Sequence, residues 1–126
     1  MFFSGKYERI EISGCRDAFL QDVICAHVDI KNSDVIFMGG VIKSQQTAVS
    51  IINSSVKATG TRVEANQAIV ASRSRLDLAG VELIAESTAI TSPDQSKIVF
   101  SVSHIKSSLT NDFIHDYITI TPANPL

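Results

Sequence analysis

The sequence predicts an all-β chain wound as a single-stranded right-handed parallel β-helix, a solenoid of about five to six coils with capped ends. Three observations carry that expectation. A phrase recurs about every twenty residues, apolar residues alternate within each copy, and superposed copies place opposite charges over one another. The phrase is apolar-x-apolar-x-Gly, written VIFMG at 35–39, VKATG at 56–60 and LDLAG at 76–80. An earlier copy is IEISG at 10–14, and two copies without the glycine follow, IVFSV at 98–102 and ITITP at 118–122. Their first positions are Ile10, Val35, Val56, Leu76, Ile98 and Ile118, separated by 25, 21, 20, 22 and 20 residues. Periods of this size mark units that bury their apolar edges only against neighbouring units.

Each unit contains more than one strand. Ile42 and Val63 stand three residues after Gly39 and Gly60, with Leu83 likewise after Gly80 and Ile105 after Val102. A third apolar cluster follows as HVDI (27–30), AVSI (48–51), AIVA (68–71) and AITS (89–92). Alternation at period two gives each strand one face to bury. Residues 32–107 sustain no helical stripe over three turns. Three short strands per coil, joined at Gly, Asn and Ser corners, make a prism whose coils rise about 4.8 Å each, roughly 24–29 Å in all.

Stacked coils place equivalent residues directly over one another, which gives a register test. Three outward columns read Ile36, Lys57, Asp77, Val99; then Val41, Arg62, Glu82, His104; then Lys43, Glu64, Ile84, Lys106. Wherever two charges are adjacent in these columns their signs are opposite. Such surface pairs contribute only about 0.2–1 kcal/mol each, so their weight lies in confirming the offset. The inward columns are Val35, Val56, Leu76, Ile98 and Ile42, Val63, Leu83, Ile105. Burying one such side chain contributes roughly 1.5–3 kcal/mol, so the core is a set of aliphatic ladders.

The corner N-S-x-[VIL], with Asn32 over Asn53, resembles the asparagine ladders of the pectin-lyase-like right-handed β-helix superfamily. The resemblance covers roughly residues 26–107 and concerns architecture, not activity. Arg73 and Asp94 take the next two corner positions, so the ladder is expected to be only two asparagines long. A left-handed hexapeptide helix would need six-residue steps, which the sequence lacks. Bactofilin-type polymers are similar in being small compact β-helices, but their denser glycine pattern is missing.

The organisation read from the sequence is an N-terminal coil and cap over 1–31, regular coils over 32–107 and a C-terminal cap strand over 108–126. The long first step holds an insertion, CRDAFLQDVIC (15–25). There Phe19, Leu20, Val23 and Ile24 would form a short apolar helix or an extra strand that lids the first coil together with Phe2 and Phe3. At the other end Leu109, Phe113, Ile114 and Tyr117 precede a last strand, and Pro122 and Pro125 stop further pairing because they lack an N–H. The aromatic residues gather at the two ends (Phe2, Phe3, Tyr7, Phe19; Phe113, Tyr117), with Phe37 and Phe100 between. Capping is favoured for that distribution, with a binding site as the alternative.

Composition limits the function. The net charge is −2, so no basic field holds phosphate backbones, and nucleic acid is not an expected partner. No apolar run reaches the ~18–20 residues that span a bilayer. The opening MFFSGKYERIE has no basic segment before its Phe pair, so it does not read as a secretory signal. A cytoplasmic setting is the default, unless the chain is a fragment. Cys15 and Cys25 lack metal or redox spacing and are expected to be reduced thiols, with a bridge between them left open.

His27, His104 and His115 fall in different coils and columns, which argues against a metal site. His115 and Asp116 are adjacent on a strand and so point to opposite faces. The superfamily resemblance implies lyases using calcium-binding carboxylates with a basic residue, or hydrolases using paired carboxylates. Here Asp29 and Asp34 flank one corner, while Asp77, Glu82 and Glu86 lie on neighbouring strands without forming an acidic column. The once-per-coil glycines are turn residues rather than a phosphate cradle, and no serine has nucleophile-elbow spacing. No catalytic, cofactor-binding or metal-ligating residue, and no cofactor, is therefore expected.

The expected function is a non-catalytic binding or assembly module that forms a homo-oligomer through an uncharged sheet face. One such face is the column Met38, Thr59, Ala79, Ser101 beside Ile36 and Val99; another carries Ser50, Val70 and Thr91. Side-by-side packing is favoured over stacking of ends, and a protein or carbohydrate ligand stays open. The alternatives are a minimal carbohydrate-active enzyme of lyase or hydrolase type, or a terminal fragment of a larger surface or tailspike protein.

Overall fold

Strands that alternate at period two must each cover one apolar side, and this chain does so by stacking coil upon coil. The structure, a computed structural model, describes residues 2–92, 96–107, 112–113 and 117–122. The strands in chain order are β1 (Phe2–Phe3), β2 (Arg9–Ser13), β3 (Ala18–Gln21), β4 (Ile24–Cys25) and β5 (His27–Lys31). Then follow β6 (Asp34–Met38), β7 (Val41–Lys43), β8 (Thr47–Ile52), β9 (Ser55–Thr59) and β10 (Arg62–Ser72). The last five are β11 (Arg75–Ala79), β12 (Glu82–Ser92), β13 (Lys97–Ser107), β14 (Asp112–Phe113) and β15 (Tyr117–Pro122). The chain is a single-stranded parallel β-helix of about 5 turns.

Three faces run along the helix. The first stacks β1, β3, β6, β9, β11, the start of β13 and β15. The second stacks β4, β7, the starts of β10 and β12, and the end of β13. The third stacks β2, β5, β8, the ends of β10 and β12, and β14. In β10 and β12 the second and third strands fuse around their corner, where the register shifts between Ala65 and Gln67. Long strands at these positions replace the separate short ones expected there.

The expected columns are present. Val35, Val56, Leu76, Ile98 and Ile118 stack on the first face, and Ile42, Val63, Leu83 and Ile105 on the second. Val35, Val56, Leu76 and Ile98 are each at most 3% exposed, so these four side chains contribute in full to the core. A third ladder runs Ile10, Val28, Val49, Ile69, Ile90. On the first face Ala58 stacks between Phe37 and Leu78, and an apolar void of about 20 Å³ lies beside it.

The N-terminal register differs from the expectation. Ile10 sits over Val28 on the third face, not over Val35; the residue over Val35 is Ala18. The apolar-x-apolar-x-Gly phrase therefore occurs on two different faces, because both end at a corner that turns through positive φ. Segment 15–25 is no helix and no lid: it supplies β3 and β4 of an ordinary, shorter coil. Leu20 and Val23 enter the core, while Phe19 is partly exposed and Ile24 is 50% exposed. The lid is instead the coil formed by residues 2–13. In it Phe3 stacks over Leu20 and packs partly buried against the core. Phe2 faces outward over Phe19, ring centroids 5.6 Å apart, and is 61% exposed. Of the expected aromatic cap at this end, only Phe3 points inward. The expected cap residues Leu109, Ile114 and Pro125 lie outside the described residues.

Between the first and second faces the corner is a stack of Asp22, Gly39 and Gly60 joined by backbone bonds, Asp22 N–H to Met38 O at 2.8 Å and Gly39 N–H to Thr59 O at 2.8 Å. Gly40, the next residue, has φ +89, and a Cβ there would lie 2.6 Å from the carbonyl oxygen of Val23. Gly60 has φ +66 but its nearest neighbour would be 4.0 Å away. Gly40→Ala should therefore destabilise by about 2–3 kcal/mol, combining positive-φ strain with a backbone clash. Gly60→Ala should cost only about 1–2 kcal/mol, and urea unfolding midpoints of the two variants measure the difference.

Candidate functional site

The corner from the third face to the first carries the densest polar network. Gly14, Asn32, Asn53 and Arg73 occupy it with φ of 66, 49, 48 and 49, the left-handed turn that Gly and Asn adopt most readily. Asn53 Nδ2 donates to Asn32 Oδ1 at 2.7 Å, so the two-membered asparagine ladder is present, with Arg73 next as expected. Asp94 lies outside the described residues.

Beside this stack runs a ladder that the sequence reading missed. Ser33, Ser54, Ser74 and Ser96 are each at most 8% exposed. Each of the first three hydroxyls donates to the carbonyl two residues back, at 2.7 to 2.8 Å. The hydroxyls of Ser54, Ser74 and Ser96 accept from the N–H of the serine in the preceding coil, at 3.1 to 3.2 Å. Cys15 heads the series: its N–H donates to Ser33 Oγ at 3.0 Å, and its thiol reaches Ser13 O at 3.6 Å. The signal was a serine at steps of 21, 20 and 22 residues. An open groove of about 570 Å³ follows this corner, with Arg16, Asn32, Asp34, Asn53, Arg73 and Arg75 along it.

The charged columns follow the expected register. Arg62 pairs with Glu82 at 3.1 Å across coils and with Glu64 at 3.2 Å along its own strand. Lys57 stacks over Asp77 and Lys43 over Glu64. Arg9 pairs with Asp29 at 3.1 Å, a contact hidden from the sequence reading by the misplaced Ile10. All these side chains are at least 29% exposed, and on the third face Glu11 stacks directly over Asp29, an acidic column that the sequence did not lead one to expect. Asp77 points out from the first face, Glu82 from the second and Asp29 from the third. Among the described residues no group of three or more His, Cys, Asp or Glu could hold a metal.

His27 is half-buried with Nδ1 3.0 Å from Thr47 O and 3.4 Å from Ser44 Oγ. His104 has its backbone in the Glu82 column; its side chain, with His115 and Asp116, lies outside the described residues. Both thiols are free, Cys15 partly exposed and Cys25 buried.

The feature best suited to a partner is the outer side of the first face. Its outward column runs Phe2, Phe19, Ile36, Lys57, Asp77, Val99. Beside it stand Gln21, Met38, Thr59 and Ala79. Ile36 and Met38 are 37% and 44% exposed. The aromatic half of this column was not foreseen, because the alignment on Ile10 hid that AFL at 18–20 repeats the pattern of VIF at 35–37. No helix among the described residues is long and apolar enough to cross a membrane. Compared with protein-family models, curated proteins and solved structures, the chain matches none.

Two expectations follow. Ser54→Ala leaves the buried Ser33 N–H without an acceptor, so it should cost about 1–3 kcal/mol in chemical unfolding. Burial pushes the Cys25 thiol from 9.0 up to about 11. Because the folded value lies above the unfolded one, that contribution is complete below pH 9 and is lost as pH rises through 11. Stability measured across that window should fall, and Cys25→Ala should flatten the fall.

Proposed function

We propose that this chain is a non-catalytic assembly module that associates with itself, side by side, through the outer side of its first face. The observation that carries the reading is the run of Phe2, Phe19 and Ile36 outward on consecutive coils of one sheet, with Met38 beside Ile36. Flat sheets that leave such residues in water gain by covering them. A two-fold axis parallel to the strands, set between the Lys57 and Asp77 levels, makes the four middle levels of the column complementary to themselves. Ile36 then meets Val99 of the second copy, and Lys57 meets its Asp77. Symmetric pairing of a patch with itself is the commonest route to a homodimer.

The rest of the molecule fits a structural role. Several outward columns pair opposite charges, Arg62 with Glu82 and Lys57 over Asp77, although Glu11 stacks over Asp29 and Arg75 over Lys97. The core is built of stacked apolar side chains. The Asn32–Asn53 ladder supports kinship with the pectin-lyase-like β-helices in architecture, and two free thiols suit a reducing, cytoplasmic setting.

Sedimentation equilibrium and light scattering test the proposal. The wild-type chain, 13.6 kDa, should sediment as an oligomer, and Ile36→Lys with Met38→Lys should break the side-by-side contact. Both side chains point into solvent, so the variant should keep its stability within about 0.5 kcal/mol. A wild-type chain that stays monomeric at millimolar concentration sinks the reading.

A further inference from the structure

A β-helix removes sheet edges along its sides but leaves them at its ends. At the N-terminal end the third face finishes on β2, whose one partner among the described residues is β5. Five residues long, with Ile10 and Ile12 buried inward at 6% and 3% exposure, β2 is a regular strand whose other side is unpaired among the described residues. The backbone bonds say which residues face that opening. Gly14 N–H donates to Lys31 O, and Glu8 O accepts from Ala26 and His27. Even-numbered residues thus direct their backbone groups towards β5. Alternation then turns the N–H and C=O of Arg9, Glu11 and Ser13 away from it, into the open edge.

Such an edge is a template for another strand. Its outward side chains say which one. In an antiparallel pairing about a two-fold axis, side chains stay on their proper faces only if the axis passes through a residue. Centring on Glu11 opposes Glu11 to its own copy, and like charges directly opposite repel. Centring on Ile12 sets Glu11 against Ser13. Centring on Ile10 sets Arg9 against Glu11 of the second copy twice over, in the two hydrogen-bonded pairs, and Ile10 against Ile10 over the core. The outward side chains of Arg9 and Glu11 are 52% and 71% exposed, so both can reach across.

We infer that the open edge of β2 pairs antiparallel with β2 of a second copy about a two-fold axis through Ile10, joining two β-helices head to head. The joint exchanges four backbone hydrogen bonds and continues the third face from one molecule into the other. It uses a different surface from the side-by-side contact and does not depend on it. Where both form, each molecule is two-valent and the assembly grows as an open chain.

The test starts from the full chain carrying Ile36→Lys and Met38→Lys, which removes the first-face contact. Sedimentation equilibrium should show this protein still dimeric. Adding Glu11→Pro should make it monomeric with unchanged circular dichroism, because the lost N–H faces away from β5 and serves no bond among the described residues. In the same background, Arg9→Glu alone and Glu11→Lys alone should each weaken association at least tenfold. Mixing those two variants should restore a dimer, since both pairs across the joint are then of opposite charge again. The introduced glutamate meets the introduced lysine, and the unaltered Arg9 of one variant meets the unaltered Glu11 of the other. A monomeric starting protein, a dimer that survives Glu11→Pro, or a mixture that fails to associate overturns the inference. The mixing arm also decides the matter if the proline variant does not fold.

Discussion

In a parallel stack every coil must return to the same height above the same residue, so each surplus residue has to be absorbed at a corner. In this chain the corner between the third and first faces enforces that condition. Gly14, Asn32, Asn53 and Arg73 turn through positive φ there, and the serine that follows each of the latter three is buried with its hydroxyl bonded both within its own coil and to a neighbouring coil. A one-residue slip would strand these groups in the interior without partners, and a buried polar group without a bond costs about 1–3 kcal/mol. The same slip would turn Val35, Val56 and Leu76 out to water. Polar and apolar penalties therefore point to one register.

A locked register has consequences at the surface. Residues one coil apart lie about 4.8 Å apart and cannot avoid one another, so every charge in an outer column meets the side chains directly above and below it. Arg62 between Glu64 and Glu82 shows the outcome. The same geometry gathers Phe2, Phe19 and Ile36 into one strip, although they are far apart in the sequence. Apolar residues at the N-terminal end and charges in the middle make the first face uneven along its length. That gradient gives it a direction against which a second copy can align.

Much of this was legible from the residues alone. The period, the ladders of Val35 and Ile42, the Asn32–Asn53 contact and the Arg62–Glu82 pair follow from local spacing, because a parallel coil converts sequence distance directly into vertical neighbourhood. The N-terminal register was not legible. IEISG matches the repeated phrase, yet it belongs to the third face, since both faces end their strands with alternating apolar residues and a positive-φ corner. Its misplacement concealed the strip of Phe2 and Phe19 and turned β3 and β4 into an apparent insertion. The serine ladder was written at regular steps, but a serine at a corner reads as solvated until its burial is known.

The sequence by itself determined that the regular coils are β, that they are about twenty residues long, and which side of each regular strand faces inward, while it left 15–25 open between a helix and a strand. These are properties of period and alternation, which survive without knowing what packs on what. Only the tertiary structure decided which face the first strands join, that the Ser33 hydroxyl is buried, and that β5 is the one partner of β2 among the described residues. Those depend on the height at which the winding begins, and no local pattern specifies a starting height: it is set by which closure of the first coil covers Ile10, Ile12 and Leu20 together.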